Sequence, residues 1–293
     1  LFEFPLAIEV FEDESPKRYE VWVDEKSTSF SFKYENKPKL VNVDADRVLL
    51  AEINDEKSLE NLAHLYKVGK KYEDRREAIE GLAGQQTNEL AFKTLEAALK
   101  DDYYGLRIMA LENIDLVNNN EKKAVKTIED MAANDEKTLV KAKAIDKLAE
   151  YQGDAYIDLY KSSLASASSA VRISALNALF WEDKEAALQY ARSIENELEK
   201  KSLKEALIPI YIMDKTESEQ SFVAGNLIEG MFFNPDRESA NLYKDGFQWT
   251  AYSSNEETTQ NLVDSLVELG EQFNIYGASK LAKQVLQQIL AVK

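Results

Sequence analysis

The 293-residue chain has no cysteine and only one histidine, His64. These absences exclude disulfides, thiolate metal sites and a zinc hydrolase centre, which commonly needs two histidines and a carboxylate. We interpret His64 as a helix residue at the edge of the core. The ten glycines are scattered and form no Walker or dinucleotide-binding motif. The residues alone therefore give no catalytic, cofactor-binding or metal site.

Long apolar runs are also lacking. None approaches the roughly 18–20 residues that span a bilayer, so we expect no membrane span. No signal-peptide pattern stands at Leu1. The absence of cysteine does not choose between the cytoplasm and the periplasm, and the compartment stays open for this soluble chain.

Positive charge is scarce, because 36 Lys and Arg face 53 Asp and Glu, a net charge of −17. Such a balance disfavours nucleic acid as a partner, since phosphate binding needs clustered Lys and Arg. We interpret most acids as solvated surface, and pairs such as Asp101-Asp102 as turn and helix-cap residues. The hydrophobic fraction of 44% is that of a globular protein with a core.

The first 53 residues alternate apolar and polar positions, a period that buries one face of a strand. Turn residues separate the runs. The pattern predicts part of an antiparallel β-sandwich, and one or more further strands are expected before Leu1. The five predicted strands fall at residues 5–10, 19–23, 30–34, 40–43 and 48–53.

From Asn54 onward the apolar period becomes 3.6, which is typical of amphipathic helices joined by short connections. Gly69 and Gly84 are expected helix stops. Residues 231–256, which are rich in aromatics, are predicted to be irregular. The predicted helices begin near Leu59 and Ala78 and then cover 90–99, 103–117, 122–131, 138–151, 154–164, 170–180, 184–199, 217–230, 257–273 and 278–292.

Four segments of the helical region repeat a pattern: a basic residue, then Ala three positions later, a branched apolar residue next, and another apolar residue three further on. The basic residues are spaced by 32, 34 and 31 positions. A fixed period of this size is the signature of stacked helical hairpins. A fifth, decayed copy is expected near Lys204. The four basic residues are Arg75, Arg107, Lys141 and Arg172.

These patterns together predict a mainly α protein. The expected fold class is an α-α superhelix, a HEAT- or armadillo-like solenoid, preceded by a small antiparallel β-sandwich module. The expected domains are residues 1–53 for the β-module and 54–293 for the helical repeats with C-terminal capping helices.

The two parts in this order resemble a known family. The run from Phe2 to Val10 is similar to the start of the β-sandwich module of aminopeptidase N-type zinc metallopeptidases, and the run from Leu40 to Ile53 is similar to that module's end. In the family, a HEAT- or armadillo-like domain follows. The resemblance implies the C-terminal region of such an enzyme. The repeat near 32 residues departs from the usual 40–47 of HEAT units.

The family's catalytic signatures, H-E-x-x-H with a distant Glu and G-x-M-E-N, are absent; Gly230 to Asn234 does not match the second. In the family they lie in a domain before the sandwich. The resemblance therefore implies a non-catalytic spacer and lid in a parent zinc aminopeptidase that removes N-terminal residues from peptides. Its implied partners are the parent's catalytic domain and peptide substrates, with zinc only in the parent.

Two alternatives stay open. One is an α-solenoid scaffold that binds a protein or peptide partner, a common use of solenoids. The other is an inactive relative of the peptidases that keeps their architecture without the zinc ligands. Within the aromatic segment, Trp249 and Tyr252 are the candidates for a ligand surface, against the alternative that the segment packs on the final helices.

Overall fold

The computed structural model describes residues 3–51, 53–119, 122–195, 201–233, 237–253 and 255–272. The protein is mainly helical with one small antiparallel sheet, as the sequence predicted at this level. Two compact units follow each other along the chain, Leu1–Tyr156 and Ile157–Lys293. The first contains the sheet and six α-helices of the described residues, and the regular elements in the described part of the second are all helices.

The sheet has three strands, β1 (Phe4–Phe11), β2 (Pro16–Val23) and β3 (Leu40–Val43), in the order β2-β1-β3. Both pairs are antiparallel. Residues on both faces of β1 are buried. Leu6, Ile8 and Val10 share one cluster, and Phe11 packs with Leu40, Leu65 and Ala78 in the other.

The predicted strands at 30–34 and 48–53 were wrong, because the described residues there form no strand. Phe32 instead stacks on Tyr19 with ring centroids 4.2 Å apart, whereas Phe30 and Tyr34 are exposed. The backbone N–H groups of Val48 and Leu49 donate to the Asp44 carboxylate, both at 3.1 Å. These two N–H groups therefore do not donate to a neighbouring strand.

Six α-helices follow in the first unit, and a short 3-10 turn, Gly153–Tyr156, ends it. The predicted stops at Gly69 and Gly84 are confirmed as helix C-caps. Gly69 also allows a close approach, because a Cβ there would lie 2.6 Å from the Cβ of Asp74. The helices are α1 (Leu59–Val68), α2 (Tyr72–Ala83), α3 (Glu89–Ala98), α4 (Tyr104–Asn113), α5 (Lys122–Asn134) and α6 (Thr138–Gln152).

The second unit continues with seven further α-helices among its described residues. The predicted helix at 278–292 lies outside the described residues. A 3-10 turn, Glu217–Glu219, precedes α11. The helices are α7 (Ile157–Ser163), α8 (Ser169–Glu182), α9 (Lys184–Ile194), α10 (Lys201–Asp214), α11 (Gln220–Phe233), α12 (Arg237–Ala251) and α13 (Glu256–Gln272).

The prediction that residues 231–256 are irregular was wrong, because most of the described residues there form the end of α11 and the whole of α12. On α12, Tyr243, Gly246 and Thr250 are buried. These residues are three and four positions apart, so they lie on one face of the helix. Two of them are a glycine and a threonine, which hydropathy alone does not identify as core residues. The aromatic residues between them obscure this period in the sequence.

The repeated sequence pattern falls at one position on alternate helices, α2, α4, α6 and α8. Each basic residue is the fourth residue of its helix. Every alanine and both apolar residues that follow it are at most 2% exposed. The expected fifth copy has the same register on α10, where Lys204 is followed by the buried residues Leu207, Ile208 and Tyr211.

An ion network fastens the loop after β3 to α2. The Arg47 guanidinium lies 2.7 Å from Asp74 Oδ1 and donates to Glu77 Oε2 at 2.5 Å, and Lys57 Nζ is 2.6 Å from Glu77 Oε1. Burial alone would raise the pKa of Glu77, but hydrogen bonds from Lys57 and Arg47 outweigh it and lower the pKa. The sheet therefore shares a compact unit with the first helices, whereas the predicted domain boundary after residue 53 stays a prediction.

Candidate functional site

The two candidate ligand-surface residues lie at the C-terminal end of α12. Trp249 is half-buried, and its backbone carbonyl accepts a hydrogen bond from Gln220 Nε2 at 3.0 Å. Tyr252 follows the helix and is 63% exposed. Only Tyr252 therefore presents most of its ring to solvent, and the role of both residues in binding stays a prediction.

His64 is a half-buried residue of α1 at the edge of the core, as expected. Its Nε2 lies 2.9 Å from the Asp13 carbonyl oxygen, and its ring meets Phe11 edge-on at 5.9 Å. Within the described ranges, no group of three or more His, Cys, Asp or Glu residues is placed to hold a metal ion.

A groove of about 610 Å³ lies beside α1 and α3 in the first unit. The α3 wall consists of residues spaced as one face of a helix, with intervals of three or four. Ala63 and Tyr66 line it from α1, and Gly69 and Arg75 line it from the turn and the start of α2. The residues of this wall are Leu90, Lys93, Thr94 and Ala97 of α3 and Lys100, which follows the helix.

One end of the groove is built around Asp101. Its Oδ2 lies 2.8 Å from Arg75 Nε and accepts a hydrogen bond from the Tyr66 hydroxyl at 3.0 Å, while its Oδ1 accepts from the Tyr103 backbone N–H at 2.8 Å. Burial, together with the adjacent negative charge of Asp101, raises the pKa of the Tyr66 phenol. Tyr66 therefore stays a neutral hydrogen-bond donor at physiological pH.

The remaining cations stand on the groove walls. Lys67 pairs with Glu14, and both side chains are mostly exposed. The hydrogen bond from Lys67 lowers the pKa of Glu14. Lys93 is 3.4 Å from Glu96 Oε2. Lys100 is exposed and, among the described residues, has no ion pair within 4.0 Å.

The lining of this groove differs in its charge balance from the whole chain, which carries −17. Four cations and two acids line it, and two of the cations, Lys67 and Lys93, pair with Glu14 and Glu96. These residues were not predicted, because charge summed over the full length does not show where cations cluster. One feature of the sequence could have indicated the groove: Lys93 and Lys100 are seven positions apart, and Ala97 and Leu90 fall on the same helix face.

No protein family and no curated protein matches the chain. Two solved structures, both engineered proteins of the Northeast Structural Genomics Consortium, have some likeness. One is 16% identical over 78% of this chain and 68% of its own, with a TM-score of 0.35; the other is 15% identical over 80% and 99%, with a TM-score of 0.31. Similarity at this level supports no conclusion about the fold or the function of this chain.

In the part of the chain that the structure describes, no helix is long and apolar enough to cross a bilayer.

Proposed function

We propose that the helical hairpins form a HEAT- or armadillo-like solenoid, and that the chain is the non-catalytic spacer and lid of a zinc aminopeptidase. The observation that carries the proposal is the common register of the repeated pattern on α2, α4, α6 and α8. A small residue at one fixed position lets each helix approach its neighbour at the same place. Repeating that contact is how a solenoid grows.

Contacts between successive units of the pattern support the solenoid part. Arg75 pairs with Asp101, and Arg107 pairs with Asp135 through two bonds of 2.9 Å. Each aspartate precedes the next helix that carries the pattern, and its Oδ1 accepts a hydrogen bond from the backbone N–H two residues later. The same local arrangement thus joins the first to the second copy and the second to the third.

The peptidase part rests on the family resemblance and on the order of the sheet and the helical pairs. A solenoid surface that faces a catalytic domain would limit which peptides reach the active site. The chain itself would bind no zinc and hydrolyse nothing. Zinc would be bound by the catalytic domain of the parent protein, and the peptide substrates would pass this surface.

The test uses the natural protein that carries this chain. We expect one zinc ion per polypeptide by elemental analysis, and hydrolysis of alanyl-p-nitroanilide and of longer peptides. Tyr252→Ala should change KM for the longer peptides and leave the anilide unaffected. Trp181→Ala removes an aromatic ring that is 73% exposed in the same unit and is the matched control. A natural protein without zinc and without aminopeptidase activity would overturn the proposal.

The alternative function is a solenoid scaffold that binds a protein or peptide partner. The observation that favours it is the groove of about 610 Å³ beside α3, which places four cations and an exposed leucine on one surface of an acidic chain.

A further inference from the structure

A cavity smaller than the groove beside α3 lies in the first unit, between the sheet and the turn that joins α1 to α2. Its volume is about 180 Å³. The apolar part of its lining consists of Phe11 of β1 and of Leu65 and Val68 of α1. A cavity of about 150 Å³ in an apolar protein core holds one benzene molecule. The size therefore suits a ligand of roughly six non-hydrogen atoms.

The polar part of the lining contains a buried hydrogen-bond acceptor, the side-chain oxygen of Asn42. Asn42 of β3 is 2% exposed, and its Nδ2 donates to Asp74 Oδ1 at 3.4 Å, so the side chain points from the sheet toward α2. Among the residues that the structure describes, none donates to Asn42 Oδ1. Buried amide oxygens are nearly always hydrogen-bonded. A ligand with an N–H group in this cavity would supply the donor.

The charged residues of the lining favour a neutral ligand. Each of the four acids has a cationic partner, so a charged ligand would compete with an existing ion pair. Lys71 donates to the Asp46 carbonyl oxygen, and Lys70 is exposed, so neither places an unpaired charge inside the cavity. The pairs are Asp74 with Arg47, Asp46 with Arg18, Glu9 with Arg18, and Glu14 with Lys67.

We propose that this cavity binds a small neutral molecule with a primary amide. Its N–H group donates to Asn42 Oδ1, and its short apolar group lies on Phe11, Leu65 and Val68. A primary amide has two N–H donors and no charge, whereas an amine of the same size is protonated at neutral pH. The inference is independent of the peptidase proposal, because it uses only contacts within the sheet, α1 and α2.

Three small probes titrated into the complete chain test the proposal. The first is isobutyramide, the second is its isomer N,N-dimethylacetamide, which has no N–H group, and the third is isobutyrate, which is charged. Nuclear magnetic resonance of the ¹⁵N-labelled protein follows the side-chain amide of Asn42. We expect a Kd on the order of 1 mM for isobutyramide and binding at least about tenfold weaker for the other two.

The other outcomes of the titration contradict the proposal. Equal binding of N,N-dimethylacetamide would mean that apolar burial alone selects the ligand. Tighter binding of isobutyrate would mean an anion site near Lys70. The absence of any shift with isobutyramide would mean that Asn42 Oδ1 is not open to a ligand.

Variants locate the binding. Asn42→Leu removes the acceptor with little change in volume and should weaken isobutyramide binding by about tenfold or more. Asn134→Leu makes the same exchange at the exposed end of α5, outside the cavity, and should leave binding unchanged. Circular dichroism melting curves verify that both variants fold. Equal weakening in the two variants would overturn the assignment to this cavity.

A crystal structure of the unaltered chain soaked with isobutyramide decides the question even if Asn42→Leu does not fold. We expect the amide nitrogen within about 3.2 Å of Asn42 Oδ1. An ordered water molecule alone on this oxygen, with isobutyramide elsewhere or not bound, would overturn the proposal.

Discussion

Two pairs of equivalent residues differ in what they contact. Arg75 and Arg107, in the first two copies of the repeated pattern, reach aspartates that precede the next copy. Lys141 donates to the Ala133 carbonyl oxygen at 2.7 Å, and Arg172 donates to the Tyr190 hydroxyl at 2.5 Å and lies over its ring. All four are the fourth residue of their helix, yet among the residues that the structure describes only the first two have an acidic partner.

The apolar positions of the same four copies are nearly identical in burial, at most 2% exposed throughout. Close packing tolerates little change in volume, whereas a cation at a helix start is satisfied by any acceptor within reach. We infer that the buried apolar positions are what the copies of the repeat share, whereas the basic residue bonds to a different acceptor from copy to copy. The predictions below test this difference between apolar and polar positions.

The largest effect is expected for Arg107→Ala. Arg107 gives two bonds to Asp135 and also donates to the backbone carbonyls of Asp101 and Asp102. The Asp135 side chain is only 8% exposed, so the substitution leaves a buried, unpaired carboxylate. We expect the free energy of unfolding to fall by about 3–5 kcal/mol, measured by urea denaturation.

Lys141→Ala is the matched control on α6, because Lys141 makes one hydrogen bond to a carbonyl that stays close to solvent. Its expected loss is about 0.5–1 kcal/mol. Equal losses for the two variants would contradict the conclusion that the partners differ in importance.

The second prediction tests the uniform apolar positions. Leu148→Ala on α6 and Leu179→Ala on α8 remove equivalent, fully buried side chains from different compact units. Each should lower the free energy of unfolding of its own unit by about 2–4 kcal/mol, through lost burial and the cavity left behind. Tryptophan fluorescence and circular dichroism during urea unfolding report the change.

Leu139→Ala provides the comparison, because Leu139 lies on α6 but is 53% exposed. It should change stability by no more than about 0.5 kcal/mol. A loss at Leu139 as large as that at Leu148 would mean that the face assignment of α6 is wrong.

Most of the helical part could be predicted from the sequence, because the packing of helices requires apolar residues at a regular period. The Ala of each copy stands where two helices meet, so the pattern that shows in the sequence is the pattern that is buried. Helix ends at Gly69 and Gly84 were predictable for the same reason, since their backbone requirements are local.

The sheet was harder to predict, because alternation of apolar residues also occurs in segments that form no strand. Phe32 packs on Tyr19, and Asp44 takes the amides of Val48 and Leu49. Neither contact can be predicted from the periodicity of the sequence. The groove was not predicted for another reason: its lining comes from helices brought together by the fold, and the sum of charge over the chain does not show how cations and acids are distributed.

The smallest effect is expected for Glu77→Gln, which tests the join between the sheet and α2. The pKa of Glu77 is lowered in the folded protein, so the ionised carboxylate stabilises the fold above the unfolded value of about 4.3, and this contribution is lost as pH falls through the folded value. The variant should be less stable by about 1 kcal/mol at pH 7, and the difference should vanish between about pH 5 and pH 3. Glu80→Gln is the control, because Glu80 is half-exposed and pairs only with Arg76 among the described residues. If Glu80→Gln flattens the pH dependence as much as Glu77→Gln does, the lost stability comes from general charge and not from the contact between Glu77, Arg47 and Lys57.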